Sequence, residues 1–205
     1  MDPLRLIVYS DYLCPWCYLG TVRLQRIGEE LGNRLQWEWR SFLLRPQPDP
    51  RRTLEKFRAY TQSWQRVAAE PDAPVFRVWQ GEAGPPSHSV PPHLAAKAAA
   101  RVGPKAFERM HERLLRAYFE ENRDITARAT LLTLWRELEL PEDAFEQIDD
   151  PQLLELTVAQ YNEALEHGID GVPAVRVDGR EGAVIGAQPV ETFRHWVTRV
   201  LSLRA

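Results

Sequence analysis

Apolar and polar positions divide the chain into stretches of different period. Residues 4–9, LRLIVY, form a short apolar run rich in branched side chains and closed by Ser10-Asp11, the pattern of a buried strand. From Cys14 the spacing changes to threes and fours. Cys17, Gly20, Leu24, Ile27 and Leu31 make one stripe and Gly32-Asn33 ends it, which predicts a helix. Leu35, Trp37 and Trp39 then alternate with Gln36, Glu38 and Arg40 as a half-buried strand, with both tryptophans expected in the core. Strand, helix and strand in quick succession make a βαβ unit.

The segment PQPDP at 46–50 breaks that pattern, and helical spacing governs the following stretch. Helices are predicted near 51–69, 92–102, 104–121, 127–139 and 152–167. Pro104, Pro151 and Thr126 act as start signals, Thr126 standing before a stripe of Leu131, Leu134, Trp135 and Leu138. GEAGPPSHSVPP at 81–92 holds too many breakers for regular structure and reads as a loop. Strands return with PAVRV at 173–177, the turn residues Asp178-Gly179, and AVI at 183–185, a hairpin pattern. A last helix opens at Pro189, with Val190, Phe193, Val197, Val200 and Leu201 on one face. The order βαβ, helical block, αββα predicts an α/β fold whose single sheet is built from both ends of the chain. Residues 1–50 and 151–205 would form the sheet domain, and residues 51–150 an all-helical insertion.

Composition narrows the functional classes. Among 205 residues, 26 basic and 29 acidic side chains give a formal charge of −3, which offers no electrostatic reason to expect nucleic acid or an anionic membrane as partner. A hydrophobic content of 44 % with 27 % charged residues fits a folded globular core. No apolar run reaches the roughly 18–20 residues that span a bilayer. Asp2 and Pro3 precede only a short apolar stretch, with no leader pattern, so a cytosolic location is expected.

The chain has two cysteines, Cys14 and Cys17. Two cysteines placed at random in a chain this long fall three apart roughly once in a hundred trials, so the spacing carries information. A bond between them closes only a tiny loop and cannot staple a fold. In a reducing compartment such a pair is more often catalytic or metal-binding than structural. CPWC sits where the first strand hands over to the first helix. Free N–H groups and the helix dipole there present partial positive charge to Cys14, which favours a thiolate. Pro15 suits the first helical position because it has no N–H to leave unused. Cys17 returns one turn later beside Cys14. An activated attacker with a buried resolver is the arrangement that thiol–disulfide exchange needs. The rival readings are weaker. A zinc site needs about four ligands and CPWC offers two, while His88, His93, His111, His167 and His195 lack finger-like spacing. No metal is therefore expected. An inert core pair does not account for Pro15 or for the strand-to-helix position.

A second signal is GIDGVPAVRV at 168–177, in which a proline enters a strand although it cannot donate to the ladder. Together with CPWC it resembles the thioredoxin-like superfamily, in which a cis-proline at a strand start faces the Cys-x-x-Cys. DYLCPWCYLG at 11–20, WRSFLLRPQP at 39–48, HSVPPHLAAKAA at 88–99 and GIDGVPAVRVDGREGAVIGAQPVETF at 168–193 extend the likeness over nearly the whole chain. They resemble the DsbA family, in the FrnE-like branch related to 2-hydroxychromene-2-carboxylate isomerases and kappa-class glutathione transferases. The resemblance implies a thioredoxin-like sheet carrying the helical insertion, and a disulfide oxidoreductase working through the Cys14–Cys17 pair without a separate cofactor. It further implies a cis bond before Pro173, turning the Val172 backbone outward where an extended substrate can pair with it. Pro15 and Trp16 would border the substrate, Trp16 as a flat apolar contact or as packing against the insertion. The buried acid that thioredoxin proper keeps in its first strand is replaced here by Val8, and Asp11 is the nearest acid to the motif. The expected partners are thiol- or disulfide-containing proteins or small molecules. Glutathione is a candidate co-substrate, because the isomerase and kappa relatives use it, although they typically carry Ser at the first motif position. A noncatalytic chaperone-like module is the third reading.

Overall fold

The computed structural model describes residues 2–82 and 84–203. Four strands form one mixed sheet in the order β2-β1-β3-β4: β1 Leu4–Ser10, β2 Leu35–Ser41, β3 Ala174–Val177 and β4 Val184–Ile185. β1 runs parallel to β2, with Val8 opposite Trp39, and antiparallel to β3, with Val8 opposite Val175. β3 and β4 are antiparallel. The unbroken apolar run of β1 follows from its inner position, because both faces of the strand are covered. Leu4, Leu6 and Val8 point to one face, where they meet Leu24 and Ile27 of α1 (Pro15–Leu31) and Phe193 and Val197 of α9 (Val190–Ser202). Ile7 and Tyr9 point to the other, against Ala164 of α8 (Pro151–Glu166). The expected single sheet built from both chain ends is therefore present.

Between β2 and α8 run α2 (Leu54–Thr61), α3 (Trp64–Ala68), α4 (Val90–Val102), α5 (Pro104–Phe119), α6 (Arg128–Glu137) and α7 (Glu142–Phe145). They surround a second core containing Trp64, Trp79, Tyr118, Phe119 and Trp135. Tyr12, Leu13 and Tyr18 belong to the same core, so the helical block is packed directly onto the CPWC turn. α8 joins the two halves. It packs on α4 and on β2, and its Gln160 Oε1 accepts from Ser41 N–H at 3.0 Å and from Lys97 Nζ at 2.6 Å.

Several elements differ from the expectation. The helix expected over 51–69 is broken into α2 and α3 at Gln62-Ser63. α4 begins at Val90, inside the expected loop, because Pro91 and Pro92 occupy a first turn where no intrahelical N–H is needed. α7 and the short 3₁₀ turn after it lie in a stretch with too few residues to show a period. Trp37 and Trp39 are half-buried rather than core. β2 is an edge strand, and both indoles line a groove of about 1130 Å³ between α1 and α5. No described helix is long and apolar enough to cross a membrane.

Candidate active site

Cys14 is the N-cap of α1, in extended conformation (φ −97°, ψ 115°), and Pro15 is the first helical residue. The Cys14 carbonyl accepts from the N–H groups of Cys17 at 3.0 Å and Tyr18 at 3.3 Å, which brings Cys17 round beneath Cys14. Both cysteines are free thiols. Cys14 is 5 % exposed and Cys17 fully buried, so only the first sulfur can meet a substrate. Burial, followed by the neighbouring Cys14 sulfur, pushes the Cys17 thiol well above its ordinary range. One sulfur is thus reachable and the other is held back as a thiol.

The second chain segment arrives from the far end of the sequence. The Val172–Pro173 peptide bond is cis, and Cys14 Sγ–H donates to the Val172 carbonyl at 3.5 Å. Val172 is half-buried and Pro173 buried. Pro15 is buried under the motif, while Trp16 stands 39 % exposed at the mouth of the site. Leu44 and Tyr60 add further exposed apolar surface on the segments after β2.

Residues outside the sequence-predicted site hold this geometry. Gly20 faces Pro173: a Cβ at this position would lie 2.8 Å from Pro173 Cγ and 3.3 Å from its Cβ, so only glycine lets α1 approach the proline loop. A glycine inside an otherwise regular helical stripe was the available signal. Gly20→Ala is expected to cost about 1–3 kcal/mol by overpacking. Thermal unfolding of the variant beside the wild type checks this.

Arg23, 3 % exposed, donates Nε to both carboxylate oxygens of Asp72 at 3.1 Å and Nη2 to Glu70 at 2.7 Å, while Nη1 donates to the Ala187 carbonyl. The neighbouring Gly186 N–H donates to the Pro173 carbonyl at 2.7 Å. One guanidinium therefore ties α1, the segment after α3 and the loop that seats Pro173. Asp11 is a staple as well. Its Oδ1 accepts from Leu13 N–H and its Oδ2 from Leu44 N–H, each at 2.7 Å, fastening the CPWC turn to the segment after β2. Burial raises its carboxyl, and bonds from Ser89, Leu13 and Leu44 oppose that rise.

Behind the motif, buried His111 of α5 bonds Tyr12 Oη through Nδ1 at 2.9 Å and Thr21 Oγ1 through Nε2 at 3.3 Å. Thr21 donates its own hydroxyl to the Cys17 carbonyl at 3.0 Å, so Nε2 carries the proton and Nδ1 accepts from Tyr12. His93 is buried too, its Nε2 3.1 Å from the Phe42 carbonyl. Burial lowers His111 from 6.5 to about 3 and His93 well below its ordinary value. Both are neutral in the fold and take up a proton once unfolded. The stability they support is complete above pH 6.5 and is lost as pH falls toward the folded-state value. The expected slope is about 1.4 kcal/mol per pH unit for each histidine. Melting temperatures of the wild type and His111→Gln, followed from about pH 6 to pH 4, should converge as the pH falls.

The fold that carries this arrangement recurs in known proteins. The model of the DSBA-like thioredoxin domain matches residues 5–197. The cytosolic disulfide reductase DsbM from Pseudomonas aeruginosa is 25 % identical, with a TM-score of 0.77 over 98 % of this chain and 100 % of that one; the same reductase is also known with GSH. A 2-hydroxychromene-2-carboxylate isomerase has a TM-score of 0.65 at 14 % identity over 98 % of both chains, a likeness of fold. The uncharacterized protein YwbO from Bacillus subtilis is 29 % identical over 121 residues, spanning 58 % of this chain and 58 % of that protein. Because the family match runs from β1 into α9 and takes in both the motif and the proline loop, the chain belongs to the DSBA-like thioredoxin domain family.

Proposed function

We propose that the protein is a cytosolic thiol–disulfide oxidoreductase that works through Cys14 and Cys17. The single observation carrying this reading is the placement of Cys14: an N-cap residue that keeps 5 % exposure, its sulfur 3.5 Å from the Val172 carbonyl, with fully buried Cys17 one turn beneath it. The Cys14 thiolate attacks one sulfur of a substrate disulfide, the substrate S–S bond breaks, and the released thiolate takes a proton. Cys17 then displaces the second substrate thiolate from Cys14 and leaves the enzyme oxidised. Val172 offers backbone for an extended substrate segment to pair with, and Trp16 offers an apolar face. An assay of insulin reduction by dithiothreitol tests the reading. Catalytic amounts of the chain should shorten the lag before precipitation, and a curve that superimposes on the uncatalysed control rejects it.

A second reading, a glutathione-dependent isomerase or transferase, draws support from one surface. A cavity of about 450 Å³ is lined by Arg45, Arg51, Arg52, Lys56 and Tyr60, with Asp49 as its one acid. Arg45 Nη1 is buried with no hydrogen-bond partner among the described residues. Tyr60, one of its lining residues, interacts electrostatically with Cys14. Excess positive charge there suits the carboxylates of glutathione or of an acidic peptide. The two readings separate on Cys17→Ala. An isomerase keeps its turnover with added glutathione, whereas a dithiol oxidoreductase loses it.

A further inference from the structure

The groove along β2 has no part in the thiol chemistry. β2 has a strand, β1, on one side only. Phe42 N–H donates to the Ser10 carbonyl at 2.9 Å. By strand alternation the backbone groups of Gln36, Glu38 and Arg40 also face β1, and those of Trp37, Trp39 and Ser41 face away. Ser41 N–H donates to Gln160 of α8. Trp37 and Trp39 have no strand to pair with on that side. The consecutive residues Leu35, Gln36, Trp37, Glu38 and Trp39 all line the groove. A sheet face would contribute only alternate residues, so the groove runs along the open edge of the strand.

The walls around that edge are aromatic below and acidic above. α1 supplies Leu24, Gly28 and Glu29 on one side, and α5 supplies Phe107, Glu108 and Glu112 on the other. The Trp39 and His111 ring centres are 4.3 Å apart, and Phe107 stacks on the same imidazole at 5.6 Å. Both His111 nitrogens are bonded, to Tyr12 and Thr21, so this ring contributes surface. A Cβ at Gly28 would lie 2.9 Å from Trp37 Nε1, so the glycine lets the second indole lie close against α1. Charge in the groove is one-sided. Glu29, Glu38, Glu108 and Glu112 line it with one guanidinium, that of Arg109. Glu38 is paired with Arg5 and Arg40. Glu29, Glu108 and Glu112 are exposed and have no ion-pair partner among the described residues.

We propose that this groove binds an extended, lysine- or arginine-bearing segment of a partner polypeptide, which joins the sheet as a further strand beside β2. The N–H and carbonyl groups of Trp37 and Trp39 pair with its main chain, and that pairing holds the segment in register. Its alternate side chains turn to the floor, where aliphatic stems and cationic heads lie over the indoles. The cations also meet Glu29, Glu108 and Glu112. A second copy of this chain is the poorer occupant, because two identical grooves would set unpaired glutamates against one another. A partner of opposite charge covers both the bare edge and the acids. Neither cysteine takes part, so the inference stands whether or not the oxidoreductase reading does.

The test titrates the full chain with a fluorescein-labelled, cysteine-free heptapeptide of alternating lysine and valine, read by fluorescence anisotropy. Saturable binding is expected, weakening as salt is raised. A peptide of alternating glutamate and valine should not bind. Methylating the peptide's backbone nitrogens on its pairing side, with every side chain kept, should cost at least about tenfold in affinity. Replacing Glu29, Glu108 and Glu112 together by glutamine should cost about tenfold as well, and these exposed positions leave the core untouched. Amide hydrogen exchange locates the contact. Saturating peptide should slow exchange at Trp37 and Trp39 at least about tenfold and leave Glu38 and Arg40, which already face β1, unchanged. No saturable binding at millimolar peptide overturns the proposal, as does equal affinity for the methylated peptide. Binding without protection at Trp37 and Trp39 overturns it too. Protection of these two amides that grows with chain concentration in the absence of peptide would assign the edge to a second copy instead and equally overturn it.

Discussion

With serine at position 14, catalysed disulfide reduction is expected to fall by at least about three orders of magnitude, to the uncatalysed rate. Serine at position 17 should act differently. Cys14 and Cys17 share one helical turn, but Cys14 alone keeps any exposure and bonds the Val172 carbonyl, so Cys17→Ser leaves the first attack intact and removes its resolution. The expected product is a stable mixed disulfide between Cys14 and substrate, visible as a mass increase that dithiothreitol reverses. Equal behaviour of the two variants would contradict the division of labour between attacker and resolver. A chaperone-like module that merely keeps the fold predicts no effect from either.

The second large effect concerns stability. Arg23→Met keeps the apolar stem of the side chain and deletes its charge, leaving Glu70, Asp72 and the Ala187 carbonyl without their donor. Removing one partner of a buried ion pair is costlier than the pair is stabilising, because the remaining charge stays desolvated. Asp72 and Glu70 keep some contact with water, at 17 % and 34 % side-chain exposure, which puts the loss at the lower end of that class. A loss of about 3 kcal/mol is expected, a fall in Tm of roughly 6–12 °C for a chain of this size. The same substitution frees the loop at 186–188 that seats Pro173, so exchange activity should drop in the variant even at temperatures where it is folded. Chemical denaturation and an activity assay on one preparation separate the two effects. An unchanged midpoint would show that the guanidinium is not the tie described here.

Both effects bear on what could be read from sequence. The strand–helix–strand start, the CPWC position and the late hairpin were legible because each is set by local period, turn residues and caps. Trp37 and Trp39 were misplaced because alternation reports that one face of a strand is covered, and does not say which strand lies at the edge of the sheet. Gly20 and Arg23 depend on Pro173 and Ala187, more than 150 residues away, and no local pattern carries that information.

The whole mechanism requires that the two sulfurs of CPWC bond to each other and separate again within one chain. Mild oxidation followed by thiol alkylation and intact mass measurement reads this directly. The account predicts a monomer lighter by two hydrogens that takes up no alkylating reagent, and that binds two equivalents after dithiothreitol. Persistent alkylation of both cysteines after oxidation, or linkage found only between chains, would contradict it.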